Sequence, residues 1–236
     1  MARKVKNSRK SLLQTGNRSI ITHRSPKSSV SEQYRTLRTN IEFAAVDESL
    51  RTFMVTSANP SEGKSTTVAN LAVVFAQQDK KVLLVDADMR RPTVHYTFRT
   101  DNIKGLTNYL TKQATLEEVV CETEVNNLQI ISCGPIPPNP AELLSSKAMD
   151  LFIEEALQMF DIVIFDTPPV LAVTDAQVLA NKVQGVVLVV NSGRTETESA
   201  LKTKDLLTNA KAKLLGVVLN EKKQKQGEYY YYYGRR

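Results

Sequence analysis

The sequence predicts an α/β fold: a doubly wound, mostly parallel sheet between helical layers, in a single domain. Three observations predict it. The runs KVLLVD, DIVIFD and GVVLVV, at Lys81–Asp86, Asp161–Asp166 and Gly185–Val190, are continuously apolar. Strands covered on both faces read this way, whereas half-exposed strands alternate. These runs are separated by stretches of helix length, the pattern of a sheet built from crossover units. The chain has 236 residues, 42% of them apolar and 24% charged, enough for one substantial core.

Residues 1–28 precede this pattern and read as a basic, flexible leader. Eight of the 31 Lys/Arg fall within residues 1–27, which contain no acidic residue. The net charge of +6 therefore describes the leader, and the rest of the chain is slightly acidic. Such an arm can touch anionic lipid or nucleic acid. Its low hydrophobicity makes a solvated leader the simpler reading, and no nucleic-acid partner is expected. The leader has no apolar core or small-residue cleavage site, so it is not read as a secretory signal. No apolar run approaches the ~18–20 residues needed to cross a bilayer. Cys121 and Cys133 stand apart without metal-ligand spacing, as expected of a reduced, cytoplasmic protein.

The domain is expected over residues 29–221. Leu37, Ile41 and Ala44 lie near helical spacing in SVSEQYRTLRTNIEFAAV, predicting an amphipathic helix. Strands are expected at Thr52–Ser57, Lys81–Asp86, Leu128–Ser132, Asp161–Asp166, Gly185–Asn191 and Leu214–Asn220. Helices are expected at Ser65–Gln78, Ala141–Met159, Asp175–Lys182 and Glu196–Ala210. Residues 222–236 form a polar, tyrosine-rich tail that is expected to be flexible.

Between the first strand and its helix lies SANPSEGKST, residues 57–66. It matches the phosphate-loop pattern G-x-x-x-x-G-K-[ST], with Ala58 in place of the first glycine. The nucleotide is expected on Ala58, Asn59, Pro60, Ser61, Glu62, Gly63, Lys64, Ser65 and Thr66. Gly63 permits the turn that aims backbone amides at a β-phosphate. Lys64 supplies a compact charge for β/γ oxygens, and Ser65 offers a hydroxyl to Mg²⁺. ATP and Mg²⁺ are thus the expected cofactors.

Two further strands end in aspartate. Asp86 and Asp88 in VLLVDADMRRP are two residues apart, so in an extended segment both face the same way. Asp166 in IVIFDTPP takes the position of the acidic residue that holds Mg²⁺ directly or through water. The expected metal residues are Ser65, Asp86 and Asp166, and the expected catalytic residues are Lys64, Asp86 and Asp88. Either Asp86 or Asp88 can orient an attacking hydroxyl. A lone aspartate at a strand end is as often a turn former or helix cap. Three beside a phosphate loop need a cation among them.

Tyr229, Tyr230, Tyr231, Tyr232 and Tyr233 are consecutive and make up five of the eight tyrosines. They follow a Lys/Gln stretch without helix or strand periodicity. A core role makes no physical sense there; a role as phosphoacceptors does, since an extended tail can enter a neighbour's site. Each phosphate would add about −1.5 to −2 charge.

In ANPSEGKST, VLLVDADMRRP, IVIFDTPP, the tyrosine cluster and the motif Glu32-x-x-Arg35-x-x-Arg38, the chain resembles the bacterial P-loop tyrosine kinases, the BY-kinases. The resemblance runs from about Val30 to the C-terminus. It implies Mg-ATP as phosphoryl donor and autophosphorylation in trans within a ring-shaped homo-oligomer such as an octamer. It also implies activation by the cytoplasmic tail of a membrane partner of capsular or extracellular polysaccharide export, which would recruit the kinase to the inner membrane face. A protein-tyrosine phosphatase and substrates such as sugar-nucleotide enzymes complete the expected partners. Glu32, Arg35 and Arg38 lie along one side of a helix, where Glu32 and Arg35 can pair internally or the arginines can meet a neighbour. Two other readings stay open. A ParA/MinD-like switch ATPase shares the fold but normally has a lysine where this chain has Asn59. A non-catalytic nucleotide-binding scaffold is disfavoured by intact Lys64, Ser65, Asp86, Asp88 and Asp166.

Overall fold

A computed structural model describes residues 20–45 and 49–223. The tail tyrosines Tyr229–Tyr233 lie outside the described residues, as does most of the basic leader. The chain opens with α1 (Ile21–Arg24) and α2 (Ser29–Ala44), followed by β1 (Thr52–Ser57), α3 (Lys64–Ala76) and β2 (Val82–Asp86). Three short helices follow, α4 (Val94–Phe98), α5 (Leu106–Leu110) and α6 (Leu116–Val119), then β3 (Val120–Glu122) and β4 (Leu128–Ile131). The remainder is α7 (Pro140–Ser145), α8 (Lys147–Met159), β5 (Ile162–Asp166), α9 (Asp175–Ala180), β6 (Gly185–Asn191), α10 (Thr197–Asn209) and β7 (Leu214–Asn220).

The sheet has seven strands in the order β3-β4-β2-β5-β1-β6-β7, parallel except for the β3–β4 pair. β5 inserts between β2 and β1, so these three carboxyl ends stand side by side. Asp86 is in register with Asp166, and Asp166 with Val55. Ligands of open α/β sheets bind at such a point, beyond the carboxyl ends.

The continuous apolar runs have the expected cause. β1, β2 and β5 are buried at every residue, and alternate side chains enter two separate cores. Met54, Leu83, Val85, Val163 and Phe165 meet α8 and α9 on one face. Phe53, Val55, Leu84 and Ile164 meet α3 on the other. Phe152 of α8 is fully buried, edge-on to Tyr109 at 5.2 Å and to Phe165 at 6.4 Å between ring centroids. Phe152→Ala is expected to lower unfolding stability by about 3–5 kcal/mol through lost burial and a residual cavity. Urea denaturation checks this, and a loss below about 1 kcal/mol would show that the layer collapses around the gap.

The expected helix over Ala141–Met159 is in fact two helices. Ser146 has ψ 160°, an extended conformation that ends α7 and starts α8. Its apolar periodicity continues across the break, which is why a single helix is expected from sequence. The three-residue edge strand β3 and the short helices α4–α6 were not expected, since each is too short to establish a period.

Candidate active site

The loop between β1 and α3 is shaped from within. Ser61 and Gly63 both have positive φ, 65° and 91°. A Cβ on Gly63 would lie 2.1 Å from Asn220 Nδ2, at the end of β7. That amide donates to the Glu62 carbonyl at 3.0 Å. The Glu62 carboxylate is buried and turned inward. It accepts from the Asn59 backbone amide at 3.0 Å, the Asn59 side chain at 3.3 Å and the Thr195 hydroxyl at 2.6 Å. The Asn59 and Glu62 side chains, expected among the nucleotide contacts, thus hold the loop's curvature. Ala58 is fully buried, and its carbonyl accepts from Leu171 N at 3.2 Å.

Where the loop becomes α3, the first helical amides have no acceptor within the helix. They face a cleft of about 610 Å³ whose lining includes Pro60, Ser61, Gly63, Lys64, Ser65, Thr66 and Asp88. Sequence reasoning named all of these.

Lys64 Nζ donates to Asp88 Oδ2 at 2.8 Å, to Asp166 Oδ1 at 3.1 Å and to Ser65 Oγ at 3.1 Å. Burial alone would lower its affinity for the proton, but the Asp166 and Asp88 carboxylates outweigh burial and raise it. The ammonium is therefore a fixed charge. Burial pushes Asp166 up in turn, against the pull of Lys64 and the Ser65 hydroxyl. Asp166 Oδ2 is buried and has no hydrogen-bond partner.

Asp86 and Asp88 have different partners. The chain turns after Asp86, the last residue of β2, so Asp88 reaches Lys64 while Asp86 serves the turn. Asp86 Oδ2 accepts from the amides of Thr93 at 2.7 Å and Val94 at 2.9 Å, and Oδ1 from Asp88 N at 3.3 Å. Burial and the neighbouring Asp166 charge push its carboxyl up to about 7, despite those amides.

These residues fit Mg-ATP. An unpartnered carboxylate oxygen on Asp166 and the Ser65 hydroxyl are hard oxygen donors of the kind Mg²⁺ takes. The Gly63 turn leaves the loop amides open to an anion. Among the described residues, no three His, Cys, Asp or Glu side chains are gathered as a metal site.

Two features carried no sequence signal. Arg90 Nε and Nη2 donate to both oxygens of Asp175 at 2.9 and 3.0 Å, across the cleft mouth to the buried first turn of α9. Arg38, expected at an interface, lies over α3, where its Nη1 donates to the Val74 carbonyl at 2.7 Å. A cation there complements the C-terminal end of the helix dipole. Glu32 and Arg35 pair with each other at 2.9 Å, and Arg35 Nη2 donates to the Pro26 carbonyl at 2.6 Å.

A family model described as an AAA domain matches residues 59–212. Tyrosine-protein kinase YwqD of Bacillus subtilis (strain 168) is 56% identical over 217 residues, covering 92% of each chain. Among solved structures, the chimerical protein CapA2B2 superposes with a TM-score of 0.84 at 44% identity, over 87% of this chain and 90% of that one. The kinase domain of the Escherichia coli tyrosine kinase ETK gives 0.84 at 34% identity, over 89% and 82%. The likeness covers most of the chain, well beyond the nucleotide loop, and the chain belongs to the P-loop tyrosine-protein kinases of bacteria.

Proposed function

We propose that the chain transfers the γ-phosphoryl group of Mg-ATP to tyrosine hydroxyls, with Tyr229–Tyr233 of a second copy as acceptors. The observation that carries this reading is Lys64 Nζ, held between Asp88 and Asp166 at the mouth of the phosphate loop. Mg-ATP supplies the phosphoryl group and neutralises charge as it moves. The amides of Gly63–Thr66 and the Lys64 ammonium would bind the phosphates, while Ser65 and Asp166 would hold the metal; Asp86, expected there too, is held by the backbone amides of the turn. Lys64 turns from Asp88 towards the phosphates, which frees Asp88 Oδ2 to accept the hydrogen of the incoming tyrosine. Asp88 suits this role better than Asp86, whose oxygens already accept from three backbone amides. The transition state is loose, so orientation of the hydroxyl matters more than early removal of its proton.

The assembly is proposed as a ring-shaped homo-oligomer in which Glu32 and Arg35 form the rim, with Arg38 bracing α2 against α3 beneath them. The cytoplasmic tail of a membrane activator is proposed to switch it on, at the inner membrane face. A protein-tyrosine phosphatase resets it, and capsular or extracellular polysaccharide synthesis is the regulated process, through substrates such as sugar-nucleotide enzymes. Asn59 supports the kinase over a switch ATPase: its side chain is bound to Glu62 and does not reach outward to a partner's nucleotide.

Incubation with Mg-ATP and an activator tail, followed by intact and peptide mass spectrometry, tests the reading. Phosphate is expected on Tyr229–Tyr233. Free phosphate released without any modified tyrosine would instead favour the switch ATPase.

A further inference from the structure

Arg91 lines the cleft that holds Lys64 and Asp88. Its backbone amide donates to Asp88 Oδ1 at 3.0 Å, which anchors it to the carboxylate proposed to orient the acceptor. Its side chain is exposed and has no ion pair or hydrogen bond among the described residues. Arg90 is different, because both oxygens of Asp175 hold its guanidinium. One arginine of this pair secures α9, and the other is left at the cleft mouth.

An acceptor tail brings negative charge to that mouth. In GEYYYYYGRR, Tyr229 follows Glu228, and each later tyrosine follows another tyrosine. In an extended chain successive side chains face opposite sides and every second one faces the same side, about 6.6 Å along, so a tyrosine at Asp88 places the tyrosine two residues away at the mouth. That tyrosine, once phosphorylated, carries about −1.5 to −2 charge. The cleft floor already holds Asp86, Asp88 and Asp166 against one lysine. With no cation at the mouth, each added phosphate would make the next transfer harder. The planar fork of an arginine matches phosphate oxygens two at a time.

We propose that Arg91 is a specificity residue that binds the phosphate of a phosphotyrosine two residues from the acceptor tyrosine, so that a partly phosphorylated tail is the better substrate. The inference rests on the kinase reading and extends it to the order in which the tail is modified.

Two tail peptides test it. One retains Tyr229 and has phenylalanine at the other four tyrosine positions; the other is identical except for phosphotyrosine at position 231. Their binding to the full chain with Mg-ADP is read by fluorescence anisotropy, and kcat/KM is measured with Mg-ATP and the activator tail. The phosphopeptide is expected to bind about 5- to 10-fold tighter and to react more efficiently by a similar factor. In Arg91→Ala both ratios are expected to fall to about 1, and Arg91→Lys should keep part of the preference. Thermal melting confirms that the variants fold. Equal handling of the two peptides by the parent chain, or a preference that survives Arg91→Ala, would overturn the role. Arginine-dependent binding of the phosphopeptide with no transfer to either peptide would uphold the docking contact and overturn the kinase reading.

Discussion

Lys64→Met is expected to reduce tyrosine phosphorylation by about 10³-fold or more. A cation positioned on the transferring phosphoryl group is worth roughly that much. Methionine fills similar space but has no charge or donor. The variant also changes the resting protein, because Lys64 is the cation lying between Asp88 and Asp166. The lysine side chain is 11% exposed and the two carboxylates 5% and 0%, so solvent screens the cluster little. Breaking a buried ion pair from one side typically costs about 3–5 kcal/mol, since the remaining charges must take up protons or draw in water. A lower melting temperature is therefore expected, partly restored by Mg²⁺. Phosphate incorporation by mass spectrometry and melting with and without Mg²⁺ check both parts. Incorporation at the parent rate would remove Lys64 from the mechanism.

Asp166→Asn is expected to separate catalysis from folding. The amide oxygen can still accept from Lys64, as Asp166 Oδ1 does at 3.1 Å, so the packing survives. Oδ2, which has no hydrogen-bond partner, becomes an amide nitrogen that a metal does not bind. Activity is expected to fall by about 10²–10³-fold, consistent with the several kcal/mol a positioned metal contributes to the transition state. Stability without nucleotide should hold or rise, because a fully buried carboxylate is replaced by a neutral group. Steady-state kinetics across a Mg²⁺ titration, with chemical denaturation in parallel, test the two halves. A variant that keeps its activity and Mg²⁺ dependence would move the metal elsewhere; one that unfolds would make Asp166 a structural residue.

Much of the frame was legible before any coordinates, for identifiable reasons. β1, β6 and β7 run over the residues expected; β1 and β6 are buried apolar runs that end where the chain turns towards a helix. Lys64, Ser65, Asp88 and Asp166 come together because a phosphate loop and two strand ends leave little geometric freedom. Other features left no such trace. The two-residue spacing of Asp86 and Asp88 implies shared facing only while the chain stays extended, and β2 ends at Asp86. Glu62 occupies an unspecified position of the loop pattern, and its partner Thr195 is 133 residues away. The bond from Arg38 to the Val74 carbonyl depends on how α2 lies over α3, which helical periodicity alone does not encode. Ser146 interrupts a helix whose apolar spacing carries on regardless.

The last strand stops against the phosphate loop, with the Asn220 side chain where a Cβ on Gly63 would be. Eight residues lie between Asn220 and Tyr229, a tether of at most about 30 Å when fully stretched. The proposed acceptors are thus tethered within reach of their own chain's phosphate loop. A short leash of this kind presents its cargo at an effective concentration in the millimolar range wherever its direction permits. Reach therefore does not by itself favour the proposed transfer between copies; the direction in which the leash leaves β7 decides between the two. Reaction order reads that direction out: initial rates rising as the square of chain concentration mean exchange between copies, and rates proportional to it mean each copy serves itself.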